Sequence, residues 1–192
     1  MKKSPKNPHS QLILIQTEKM KYTFGGKSTK GKRKIARTLL PKKWVHLCLK
    51  SKKAMGSYSL LHKQNRSKIE GLIRRKAKEN HIELRDAVNM GNHLHLKIRS
   101  QRKEDFQRFL RSISGQIARI ATGAKKGKKF GKFWDGIAFT RVLMTAFEEL
   151  QLKGYFRANR IEQARGYQAR TKFLDEFNLW VRRLKQPPVA AG

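Results

Sequence analysis

A chain of 192 residues with 46 Lys and Arg against 13 Asp and Glu carries a formal charge of +33, far more than solubility requires and a self-repulsion that folding must overcome. The excess implies a polyanionic partner, and because it is spread along the chain rather than gathered on one amphipathic helix, nucleic acid is favoured over an anionic membrane surface. A single cysteine, Cys48, excludes a disulfide framework and a cysteine zinc site, while 38% hydrophobic residues suffice for one compact domain.

Residues 1–42 read as a basic, flexible arm, densest from Gly25 to Lys34. Its only apolar run, Leu12 to Ile15, is too short for a signal-peptide core or a membrane span, so a cytoplasmic, nucleoid-associated protein without a membrane partner is expected. Gly26-Lys27-Ser28 has the form of the end of a phosphate-binding loop. Lys21 stands where that motif needs its first glycine, so no nucleotide cofactor is expected. Residues 43–50 alternate Val45, Leu47 and Leu49 with Trp44, His46 and Cys48, the pattern of a strand with one face in the core. Ile69, Leu72, Ile73 and Ala77 recur at helical spacing within 67–81, and a strand over 82–89 follows. Gly91-Asn92 then supplies turn chemistry before another strand, which makes a hairpin. A second helix over 103–122 has the stripe Phe106, Phe109, Leu110, Ile113, Ile117 and Ile120. The loop 123–132, with five lysines and three glycines, cannot bury a core. A strand over 133–142, helices over 145–164 and 169–184, and a disordered tail from Gln186 complete the chain. The order of elements predicts an α+β fold: a ferredoxin-like split βαβ core with an antiparallel sheet and extra C-terminal helices.

The hairpin's second strand carries His93 and His95 around Leu94. Alternation puts both imidazoles on one face and Leu94, Leu96 and Ile98 on the other. Such a pair is either a polar stretch of a solvated sheet face or two ligands converging on one divalent ion. His46 falls on the corresponding face of the first strand, which neighbours this one in a ferredoxin-like sheet, and is assigned either a structural hydrogen bond or a place lining the site. In the helix over 145–164, Phe147, Leu150, Gly154, Ala158 and Ile161 form one stripe that is expected to pack on the domain. Tyr155 lies roughly 100° from its centre, with Asn159 one turn on and Glu162 beside them.

The His-hydrophobic-His strand, the segment from Gly123-Ala124 through Phe133-Trp134-Asp135 to Arg141-Val142, and the run from Tyr155 to Ala164 together resemble the single-tyrosine HUH transposases, most closely the REP-associated tyrosine transposases. The resemblance spans residues 25–167 and divides the chain into a basic arm (1–42), an HUH single-tyrosine transposase domain (43–167) and a C-terminal helix and tail (168–192). It implies that Tyr155 is the catalytic nucleophile, attacking a phosphodiester in single-stranded or hairpin DNA to leave a 5′-phosphotyrosine and a free 3′-hydroxyl. It also implies that His93, His95 and Asn159 bind a divalent ion, Mg²⁺ or Mn²⁺. Glu162 competes with Asn159 as the third ligand because a carboxylate suits a hard cation better than an amide.

Lys27, Lys32, Arg33 and Lys34 in the arm, and Lys125, Lys126, Lys128, Lys129 and Lys132 in the loop, are the expected DNA phosphate contacts. Trp134 is either a base-stacking platform or a core residue. A monomer or homodimer is expected. The competing function is a non-catalytic basic DNA- or RNA-binding protein, a domesticated transposase or ribosome-associated factor.

Overall fold

In the computed structural model, which describes residues 22–26, 36–125, 127 and 130–184, the elements run β1 (Thr23–Phe24), β2 (Trp44–Lys50), α1 (Arg66–Glu79), β3 (Ile82–Asn89), β4 (His93–Ser100), α2 (Lys103–Thr122), β5 (Phe139–Val142) and α3 (Ala146–Arg183). The sheet order is β1-β5-β2-β4-β3 with every neighbouring pair antiparallel. β4 thus sits between β2 and β3, the split βαβ arrangement that the element order predicts, and β1 is added at the far edge.

Period-two alternation decides which face of the sheet meets the helices. Leu47 of β2 and Leu94, Leu96 and Ile98 of β4 are all but fully buried and join one cluster with Ile69 and Ile73 of α1 and Phe106, Phe109, Ile113 and Ile117 of α2. Burying each such side chain stabilises the fold by about 1.5–3 kcal/mol, which is how the core offsets the repulsion among the lysines. The opposite sheet face carries the histidines.

Two expectations are corrected. The arm is not wholly irregular: Thr23 and Phe24 pair with Arg141 and Thr140, because Tyr22 packs on the core and Arg37 locks the edge. The Arg37 guanidinium stacks 4.5 Å over the Phe24 ring and donates to Ala138 O at 3.0 Å and Thr140 Oγ1 at 2.7 Å. The strand expected over 133–142 is confined to Phe139–Val142, since the chain before it is spent on tying down the end of β2. Ser51 Oγ donates to Phe133 O at 2.6 Å, Asp135 N to Lys50 O at 2.9 Å, and Lys52 N to Asp135 Oδ1 at 2.8 Å.

The described residues divide into two compact units, one ending at Glu149 and the other beginning at Leu150. In the second, α3 is broken at Gly166, whose backbone (φ 83°, ψ 177°) is open to glycine and strained for other residues. The two halves fold back on each other: Gly154 meets the Phe177 ring, Arg157 stacks 5.2 Å from the Phe173 centroid, and Glu162 pairs with Arg170 at 3.2 Å. Gly154 of the predicted stripe therefore meets the chain's own continuation. The break matches the gap between the two predicted helices.

Candidate active site

The β2–β4 register sets Lys50 opposite His93, Cys48 opposite His95 and His46 opposite Lys97. Three imidazoles consequently share the sheet face away from the helices. His93 and His95 lie edge to face with centroids 4.7 Å apart, and His46 is 5.1 Å from His95. His95 is only 4% exposed, so this is no solvated sheet face.

The hydrogen bonds bear on which ring nitrogens carry lone pairs. Asn92 Oδ1 can only accept, so His93 Nδ1 holds the proton, and the lone pair of the neutral ring is on Nε2. His95 Nδ1 lies 2.9 Å from His46 Nε2. With His95 as donor in that contact, its lone pair is likewise on Nε2, the arrangement in which an outer partner orients a metal-ligating imidazole. Burial, reinforced by neighbouring His46, His93 and Lys50, drives the His95 pKa well below its usual value; burial and then Arg141 push His46 down to about 3. Both rings are neutral at pH 7, the form that binds a metal. Cys48 stands beside them, but burial raises its thiol to about 12 and keeps it protonated, against the opposing pull of Lys50. Among the described residues no group of three or more His, Cys, Asp and Glu is placed to hold a metal ion. The imidazoles fit a borderline divalent ion as two of its ligands.

The sequence reading missed two acidic residues in the first turn of α3. Glu148 takes the Met144 amide at 2.6 Å and pairs with Arg141, while Glu149 pairs with Lys97 at 2.6 Å. Burial alone would raise the Glu148 pKa, yet the Met144 amide and Arg141 outweigh it and hold the carboxyl below its usual value. Together they fasten the start of α3 to β4 and β5. Their signal was present: acidic side chains favour a helix N-terminus.

Further along α3, Tyr155 is half-buried and Asn159, one turn on, is 2% exposed. Among the described residues the Asn159 Nδ2 group has no hydrogen-bond partner. An orphaned buried amide N–H costs about 1–3 kcal/mol, so the position calls for a hydrogen-bond acceptor. Glu162, the rival candidate, is already ion-paired with Arg170.

The sequence model of IS200-like transposases matches residues 40–146, more than half of the chain. The chain belongs to this family. It is thus a DNA-processing enzyme, and its α+β fold is shared with a REP-associated tyrosine transposase bound to a REP hairpin (15% identity, TM-score 0.54, covering 83% of this chain and 92% of that one). A Deinococcus radiodurans protein assigned as a transposase is 18% identical with a TM-score of 0.42, covering 66% of this chain and 98% of the other. No curated protein sequence matches the chain.

In this transposase Lys125 and Lys132 are exposed, whereas Lys27, Lys32, Arg33, Lys34, Lys126, Lys128 and Lys129 lie outside the described residues. Trp134 is partly buried against the core and Phe133, and its indole N–H donates to Ser114 O at 2.9 Å. No described helix is long and apolar enough to cross a membrane.

Proposed function

We propose that this transposase cleaves and rejoins single-stranded, hairpin-containing DNA through Tyr155. The phenol oxygen forms a bond to phosphorus, the bond from phosphorus to the 3′ oxygen breaks, and that oxygen leaves as a 3′-hydroxyl while the 5′ phosphate stays on the tyrosine. Strand transfer is the reverse attack by another 3′-hydroxyl. The bond energy is retained throughout, so no nucleotide cofactor is required.

His93 and His95 would hold Mg²⁺ or Mn²⁺ through Nε2, with Asn159 as the oxygen ligand. When bound, the ion neutralises charge on the phosphate and favours the phenolate. The chain's own residues prepare for this. Asn92 sets the His93 tautomer, His46 as acceptor would set that of His95, burial keeps His95 unprotonated, and Asn159 is assigned ahead of Glu162 because that carboxylate is already paired with Arg170. A phenol hydroxyl is a weak nucleophile near neutral pH, which is why such a cationic setting is needed.

The observation that carries this proposal is the neutral, oriented imidazole pair in a chain of this family. End analysis of the cleaved strands tests it. The 3′ end should be extendable by a polymerase without treatment, and the 5′ end should resist phosphatase followed by kinase and stay blocked by a residual tyrosyl peptide after protease digestion. A free 5′-phosphate on the released strand would refute a tyrosyl intermediate.

A further inference from the structure

The loop between β2 and α1 is pinned as tightly as a core element, yet it holds apolar side chains in solvent. Ser51 N donates to Asn92 O at 2.9 Å and Leu60 N to Gly91 O at 2.8 Å, so both ends of the loop hang on the turn that delivers His93. A Cβ on Gly91 would lie 3.1 Å from Ser59 Oγ, at a φ of +82° that already favours glycine, which shows how closely turn and loop approach. The buried Asn65 amide donates to both Ser57 O and Ser59 O at 2.9 Å, gripping the backbone on either side of Tyr58. On this rigid support Tyr58 is 39% and Met55 71% exposed.

Tyr58 meets Phe130 edge to face with centroids 5.0 Å apart, and Lys53 Nζ sits 5.4 Å from the Phe130 centroid while donating to Lys132 O at 2.7 Å. Lys50, Lys52 and Lys132, in the segments that supply these contacts, are exposed. The one acidic neighbour these contacts bring in, Asp135, has its Oδ1 on the Lys52 amide. Apolar rings flush with a lysine surface suit a flat aromatic ligand with an anionic backbone. Lys50 is the register partner of His93, so such a ligand lies beside the histidine end of β4.

We infer that Tyr58, backed by Phe130, is a stacking platform for one unpaired base of the DNA strand, with the flanking phosphates on Lys53, Lys132 and the other exposed lysines of these segments. A duplex keeps its base faces covered, so the platform selects unpaired DNA without reading its sequence. It gives the single-strand preference of the proposed reaction a structural origin, and in that respect rests on the reaction proposed above.

Binding is measured by anisotropy in a Tyr155→Phe background, which keeps DNA uncleaved, using an unpaired oligonucleotide and a fully paired duplex. Tyr58→Ala should weaken the unpaired strand about 5- to 150-fold, the range for one stacked base, leaving duplex affinity and the salt dependence of binding unchanged. Tyr58→Trp should restore binding, and Tyr58→Leu, which keeps the apolar contact with Phe130, should not. Equal loss on both DNAs, full binding by Tyr58→Ala, or rescue by Tyr58→Leu would each overturn the platform. The two readings separate: a tyrosyl-DNA adduct from the parent with no Tyr58 effect removes the platform alone, whereas a Tyr58 effect with no adduct leaves the platform and removes the proposed chemistry.

Discussion

His46 is the residue whose role the structure changes most. A bare alternation argument put it on the right face, and the 2.9 Å contact to His95 makes it the group that would orient His95 in the proposed metal site. Removing such an outer partner commonly lowers metal affinity 10- to 100-fold. His46→Leu should show that loss for Mn²⁺, measured by the electron paramagnetic resonance of the free ion without DNA. His46→Gln, whose side-chain oxygen can still accept, should recover part of it, and equal affinity in all three proteins would deny the role. The same burial predicts a pH dependence. In the unfolded chain these histidines take up a proton near 6.5, whereas His46 in the fold resists until about 3. Between those values the unfolded state binds more protons, so stability is complete above about 6.5 and falls as pH drops through that window. The urea midpoint should be lower at about pH 5 than at about pH 7.5, with a smaller difference in His46→Leu; a midpoint independent of pH would contradict the buried neutral pair.

At the level of elements, the strong periodicities were legible and the long-range ties were not. α2 and β3 match their predicted spans because Phe106 to Ile117 and Ile82 to Val88 carry their own pattern. The shortening of β5 was not readable, since it depends on Ser51 and Lys52 reaching a segment some 80 residues away. Nor was the burial of Asn159, because helix phase locates a side chain without saying what comes to cover it. Gly154 offers a test of the α3 hairpin. Its Cβ would fall 2.3 Å from Phe177 Cζ. Alanine in place of glycine gains about 1 kcal/mol of helix propensity, but overpacking costs about 1–3 kcal/mol, so Gly154→Ala should lower the melting temperature. Adding Phe177→Leu should reverse the loss. Stabilisation by Gly154→Ala alone would mean the two halves of α3 do not meet as described.

For the whole molecule, composition indicated the partner class before any element was placed. A charge of +33 makes binding strongly salt-dependent, and each phosphate neutralised on a single strand contributes about −0.7 to the slope of log affinity against log salt. Replacing Lys125, Lys126, Lys128 and Lys129 together by alanine should flatten the slope and weaken all sequences alike. A loss confined to one hairpin would show that the loop reads bases. The proposed site was readable only in pieces: His93 and His95 by alternation, Tyr155 and Asn159 as candidates by helix phase joined to a family resemblance. Charge and size fit a passive binding protein equally well, so the account turns on whether Tyr155 becomes covalently attached to DNA. The direct measurement is denaturing electrophoresis of the protein incubated with Mn²⁺ and a labelled hairpin oligonucleotide with single-stranded flanks. The account predicts a protein-linked label that is absent in Tyr155→Phe, although that variant still binds the DNA; an adduct that persists in Tyr155→Phe would contradict it.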